Sequence, residues 1–212
     1  MRSSKEILEL LDQGLNISFD NTLDFDPDYF VKLLGDRIVL SGDKPYTIAE
    51  HKEDPTDCSE RTEYFDWHSD GMYHYKPPKY VLLHCLDPGK EKITTDLSTT
   101  KFFLHRDILK KLRSHYVGHG GNFDHPIISD DGILLASRGY VSSLPNLPLE
   151  EQPTVRDISE NLYWLFNYLD SYAIRYKWKA GDTLIFNQYQ YLHRRNSNAI
   201  DKDRKLIRMW FT

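Results

Sequence analysis

Several things that define common protein classes are missing from this sequence. No apolar run of about 18 residues occurs among its 212 residues, so no transmembrane helix is expected. The opening MRSSKEILELLDQG alternates charge with leucine and isoleucine, and lacks the apolar core of a signal peptide. Cysteine is scarce: Cys58 and Cys85 are too few for a disulfide framework and show no metal-ligand spacing, so a reduced, cytoplasmic protein is expected. A long basic stripe is absent and the isoelectric point is about 6.0, which argues against nucleic acid as a partner. Internal repeats and low-complexity tracts are absent as well.

What is present fits one globular domain, residues 1–212. Hydrophobic residues make up 40% of the chain and aromatics 13%, enough for a sizeable core. Residues 1–70 hold 17 acidic against 7 basic side chains, so the remainder is net basic. Arg194, Arg195, Lys202, Arg204, Lys205 and Arg208 cluster near the C-terminus against only Asp201 and Asp203, a local excess able to hold a small anion.

Ser3-Ser4-Lys5-Glu6 is a capping-box pattern, with Ile7, Leu8, Leu10 and Leu11 as the buried stripe and Gly14 as the stop. A second short helix is expected from Asp26-Pro27 to Gly35. Arg37–Leu40 reads as a strand and the polar stretch 42–65 as a long loop of the kind that forms lids. The run Tyr80–Leu86 reads as a buried strand, Ile93–Thr95 as a short strand and 99–114 as a helix. Asp131-Gly132 signals a hairpin turn, followed by a proline-rich connection over 140–152. The longest helix is expected over Thr154–Ala173, then a turn and buried strand ending at Asn187, then a last strand over Leu206–Phe211. Many short strands with two or three helices imply a mostly β protein, a sandwich or jelly roll with flanking helices. Its helical N-terminal part and loop span 1–60, and the core spans 61–212.

The chemistry concentrates at Trp67-His68-Ser69-Asp70-Gly71 and at Tyr191-Leu192-His193-Arg194. On an extended strand residues i and i+2 share a face, so His68 and Asp70 present an imidazole beside a carboxylate. With His193 they make two histidines and one carboxylate, a set that grips one face of iron(II) and leaves positions open. Arg204, Leu206, Arg208 and Trp210 share one face of the last strand, and buried arginines there require anionic partners. The remaining histidines, except His74, read as structural or solvated. Trp178 and Trp210 read as core, while Tyr73 and His74 are candidates for the substrate mouth.

From about Glu63 to Thr212 the chain resembles the taurine dioxygenase (TauD/TfdA) family of iron(II)- and 2-oxoglutarate-dependent oxygenases. The likeness is carried by the Trp-His-x-Asp opening, Pro77-Pro78, the His125-Pro126 hairpin with its Asp-Gly turn, Trp178-x-x-Gly181-Asp182, and His193 followed by two arginines. It implies a double-stranded β-helix (cupin-like jelly roll) and places iron on His68, Asp70 and His193. It assigns Arg204 to the far carboxylate of 2-oxoglutarate, Arg208 to substrate or the inner carboxylate, and Thr95 to the far carboxylate again. Lys92-Ile93 stands where the family has a Gly-Gly pair, which leaves Thr94 as the alternative to Thr95. The implied reaction uses oxygen, releases succinate and carbon dioxide, and hydroxylates or otherwise oxidises a small molecule, anionic or amino-acid-like. Halogenating relatives carry a small residue where this chain has Asp70, which points to hydroxylation or a related oxidation. Two other readings stay open: a metal-binding jelly-roll module or sensor without catalysis, and an isomerase-like metalloenzyme. Association of copies of the chain is open too.

Overall fold

The computed structural model describes residues 3–19, 24–35, 46–50, 52, 65–71, 74, 76–91, 93–100, 115–117, 125–126, 128, 141–143, 155–196 and 201–212. Helix α1 (Ser4–Asp12) starts as its sequence dictates. Ser3 accepts from the Glu6 amide while the Glu6 carboxylate accepts from the Ser3 amide at 2.7 Å. Strand β1 (Ile17–Phe19) follows, then α2 (Pro27–Leu34), capped by Asp26 with proline at its first turn. The next elements are β2 (Thr47–Glu50), β3 (Phe65–His68), β4 (Tyr80–Asp87) and β5 (Thr94–Thr99). Three short strands come next: β6 (His115–Val117), β7 (His125–Pro126) and β8 (Val141–Ser143). Helix α3 (Val155–Ser171) leads to β9 (Ile174–Lys177), β10 (Thr183–Asn187), β11 (Tyr191–Asn196) and β12 (Lys205–Phe211).

The pairings described are antiparallel, in three sheets. The first has the order β1-β10-β4-β12-β2, the second β3-β11-β5-β9, and a small third β7-β6-β8. Period-two alternation gives the first sheet two apolar faces. Tyr80, Leu82, Ile185, Ile207, Met209 and Phe211 point one way and bury Ile7 and Leu11 of α1 with Phe30, Leu33 and Leu34 of α2. Val81, Leu83, Cys85, Leu184, Phe186, Leu206 and Trp210 point the other way. There they meet Leu97, Trp178 and Tyr191 of the second sheet and its borders. Each such side chain, fully buried, contributes roughly 1.5–3 kcal/mol. Among the described residues no helix is long and apolar enough to cross a membrane.

The second sheet carries a polar network on its other face. Asp96 is 0% exposed, and its Oδ2 accepts from Arg194 Nε at 3.1 Å, Arg194 Nη2 at 3.0 Å and Asn196 Nδ2 at 2.8 Å. Arg194 also pairs with Asp170 of α3 and lies over the Trp67 ring, 4.5 Å from its centroid. The Trp67 indole donates to the same Asp170 at 2.9 Å. The network ties β3, β5, β11 and α3 together.

The structure departs from the sequence-based expectations at several places. Residues 42–65 are not all loop: Thr47–Glu50 is an edge strand on β12, where backbone pairing suffices to hold half-buried side chains. Thr99 ends β5 rather than starting a helix, because the strand is six residues long and its polar positions Asp96 and Ser98 are buried. A strand, β9, precedes the turn at Trp178. Strand 37–40, the helix over 101–114, the Asp131-Gly132 turn, most of 140–152, and Cys58 lie outside the described residues.

Removing one partner from a buried ion pair strands the other. Asp96→Ala is expected to destabilise the protein by about 3 kcal/mol. Urea unfolding checks this as a lower midpoint at unchanged slope.

Candidate metal centre

Strands β3 and β11 pair antiparallel with His68 directly opposite His193. Both side chains point between the two large sheets, and their ring centroids are 4.1 Å apart. Phe186 of β10 tilts against His193 at 5.1 Å, and Phe65 against His68 at 3.9 Å. The Nδ1 of His68 donates to the Asp66 carbonyl at 2.7 Å, which leaves its Nε2 as the free lone pair. Asp70 Oδ1 lies 3.6 Å from His68 Nε2 and 3.8 Å from His193 Nε2. One ligand atom from each of the three residues falls within 4.8 Å of the others, and all three residues are buried.

Asp70 is not on the strand that the His-x-Asp spacing implied. β3 ends at His68, and Asp70 sits in the following turn. Gly71 makes the turn work: its φ is +64°, and a Cβ there would lie 2.8 Å from Pro78 Cδ and 3.0 Å from Trp210 Cζ3. The indole packed against this glycine is the one that orients the carboxylate. Trp210 Nε1 donates to Asp70 Oδ2 at 2.9 Å, so Oδ1 faces the imidazoles. Trp210 is therefore more than the core residue expected from sequence. The pattern that gave Arg208 and Trp210 a common face held the clue.

Arg208 Nη1 approaches Asp70 Oδ1 at 3.4 Å, and its guanidinium lies over the Trp210 ring at 4.8 Å. Burial by itself would raise the Asp70 carboxyl. Arg208, His193 and His68 outweigh it and hold the group well below the usual carboxylate range. Burial, with His68 beside it, pushes His193 down to about 3, so its imidazole is neutral near neutral pH. Two imidazoles and one carboxylate with an unligated side make up a donor set that fits a divalent iron.

The second cluster is anion-seeking. Arg204 is 6% exposed and immediately precedes β12, four residues before Arg208. Burial, then the neighbouring Arg195, lowers it to about 10 against partial relief from Cys85 and Asp201. The Nε atoms of Arg204 and Arg208 are buried without a hydrogen-bond partner among the described residues. Thr95 faces the same interior as Leu97 and accepts from Trp178 Nε1 at 3.0 Å, which leaves its own O–H to donate. Thr94 faces the other way and donates to Asp96 at 3.1 Å. Cys85, pushed up to about 12 mainly by burial, is a neutral thiol. His84 hydrogen-bonds Thr183 on the helix side of the first sheet, a structural role. The ring of His74 meets Trp210 edge-on at 5.6 Å, and Tyr73 lies outside the described residues.

No family model and no curated protein matches the sequence. Solved structures do match. A taurine dioxygenase from Burkholderia xenovorans superposes with a TM-score of 0.71 at 15% identity, over 98% of this chain and 80% of that one. PvcB from Pseudomonas aeruginosa gives 0.69 at 18% identity, over 98% and 79%. A further PvcB structure is described as an Fe, alpha-ketoglutarate-dependent oxygenase from an isonitrile synthetic pathway. An asparagine oxygenase in complex with Fe(II), 3-hydroxyasparagine and succinate gives 0.62 at 15% identity, over 79% and 56%. The chain thus has the fold of the taurine dioxygenase-type iron/2-oxoglutarate oxygenases.

Two outcomes follow. Trp210→Phe keeps an aromatic ring but removes the bond to Asp70, so metal affinity of the folded protein should fall about 10–100-fold, read by calorimetric titration, beside a stability loss of roughly 1–2 kcal/mol from the smaller buried ring. Unfolded His193 titrates near 6.5 and the folded residue near 3, so between these values the unfolded chain holds more protons. Stability in the presence of a chelator should fall as pH drops through that window. Denaturant unfolding in wild type and His193→Asn tests this: the variant should flatten the slope.

Proposed function

We propose that this chain is an iron(II)- and 2-oxoglutarate-dependent oxygenase that hydroxylates, or otherwise oxidises, a small molecule. It does so as a single domain, residues 1–212, whose two large sheets make a double-stranded β-helix. The observation that carries the reading is the pairing of two features on one interior. Three metal-ligand atoms converge from β3, its turn and β11. Two arginines, Arg204 just ahead of β12 and buried, Arg208 within it and largely covered, each carry a buried Nε without a partner among the described residues. Burying a guanidinium is costly without an anion, and a dicarboxylate cosubstrate supplies one.

In this reading His68, Asp70 and His193 hold iron(II) through one oxygen and two neutral ring nitrogens. Iron, 2-oxoglutarate and oxygen supply the oxidation, with succinate and carbon dioxide as by-products. Arg204 holds the far carboxylate of 2-oxoglutarate, and the Thr95 hydroxyl donates to it. Thr95 is preferred over Thr94 because Thr94 is committed to Asp96 on the opposite face. Arg208 holds the inner carboxylate or an acidic group of the substrate. Phe65 and Phe186, packed on the two imidazoles, exclude water from the ligands. The substrate class is a small acid or amino acid. It is favoured by Arg208 and by the hydroxylated amino acid in the asparagine oxygenase neighbour. The arginines favour this reading over a metal-binding module or sensor without catalysis and over an isomerase, neither of which needs a paired anion clamp beside the metal.

The test is succinate release with iron(II), oxygen and 2-oxoglutarate over a panel of amino acids and small acids. The expected result is iron-dependent succinate stimulated by one class of substrate. Arg204→Ala should raise the KM for 2-oxoglutarate about 30-fold or more, since truncating one side of a buried charge pair costs about 2 kcal/mol or above. Succinate formation insensitive to His68→Ala would count against the reading.

A further inference from the structure

Two segments distant in sequence carry the candidate ligands. One leaves β3 at His68 and turns through Ser69, Asp70 and Gly71. The other leaves β10, turns through residues 188–190 and enters β11, where His193 stands. Gln188 opens that second turn and is 0% exposed. Its Oε1 accepts from the Asp70 backbone N–H at 2.8 Å. Its Nε2 donates to the Asp70 carbonyl at 3.0 Å and to the Pro78 carbonyl at 2.5 Å. Its own backbone N–H donates to the Lys79 carbonyl at 2.9 Å.

His68 and His193 are placed by a strand ladder, in which they are direct partners. Asp70 lies beyond the end of β3 and has no ladder. The Gln188 amide does for it what a neighbouring strand does for the histidines, pairing both its N–H and its C=O. The anchor comes from the same turn that delivers His193.

We propose that Gln188 is a positioning residue of the metal centre. It sets where the Asp70 carboxylate stands relative to the two imidazoles, and through that the affinity and geometry of the bound metal. The proposal rests on the reading of His68, Asp70 and His193 as a metal centre. Only a primary amide meets the chemistry, because the site needs one acceptor and two donors at fixed places. Glutamate keeps the acceptor for the Asp70 N–H and turns an oxygen on two carbonyls. Methionine has similar length and offers neither function. A ligand held loosely by a fraction of an ångström loses affinity even where the fold survives.

The experiment is an anaerobic titration of the full chain with cobalt(II), read by its visible absorption bands and by calorimetry. It compares wild type, Gln188→Glu, Gln188→Met and, as a fold control, Asp96→Asn. Far-ultraviolet circular dichroism and thermal melting report how much of each variant is folded. The expected result is a loss of about 10–100-fold in cobalt affinity with altered bands in both Gln188 variants, larger for methionine. Asp96→Asn should melt lower yet keep wild-type affinity and bands. Folded Gln188 variants with wild-type affinity and spectrum would overturn the proposal. So would variants that do not fold at all, since they would assign the residue to the fold alone. A wild-type chain that binds no cobalt would sink the metal-centre reading itself, a distinct outcome.

Discussion

A carboxylate removed from water must be met by other charges and donors, and Asp70 is where this protein meets that requirement. Its Oδ2 accepts a hydrogen bond from the Trp210 indole N–H, and its Oδ1 faces two imidazoles and Arg208. These four partners come from three stretches of chain, so the carboxylate is satisfied only when β3, β11 and β12 have found their places. The strain that a turn would otherwise carry is absorbed by Gly71, with φ at +64° and no room for a side chain against Pro78 and Trp210. Burial of this one group thus makes demands on two sheets at once.

Strand β12 answers most of them because its faces do different work. Ile207, Met209 and Phe211 lock onto α1 and α2, a contact that resembles any helix on any sheet. Leu206, Arg208 and Trp210 look the other way, toward the second sheet. A strand flanked by β4 and β2 has little freedom to shift, so Arg208 and the indole stand on a rigid element. The second sheet is fixed independently by the Asp96–Arg194–Asp170 network on its far face. Site and scaffold are therefore held from opposite sides.

Much of this was legible in the residues, and the limits have physical reasons. The caps at Ser3 and Asp26 are local patterns, and local patterns read well. The alternation of β12 placed Arg208 and Trp210 on one face because a strand's period is two, whereas Arg204 falls just ahead of the strand, before its register shift at Lys205/Leu206. The His-x-Asp pair and distal histidine were readable as a donor set, although Asp70 turned out to sit past the strand end. Edge strand β2 was hidden because it is held by backbone bonds rather than by an apolar pattern. The roles of Gln188, Asp96 and the Trp210 indole were hidden for another reason. Their partners lie roughly a hundred residues or more away, at 118, 98 and 140 positions.

The central claim is that the three ligands and the two arginines act together on one dicarboxylate held at iron. The direct measurement is an anaerobic absorption spectrum of the protein with iron(II), before and after 2-oxoglutarate. The account predicts a weak visible band on adding the keto acid, absent in His68→Ala and Asp70→Ala and weakened in Arg204→Ala. Iron bound to the wild-type protein with no such band at saturating 2-oxoglutarate would contradict it.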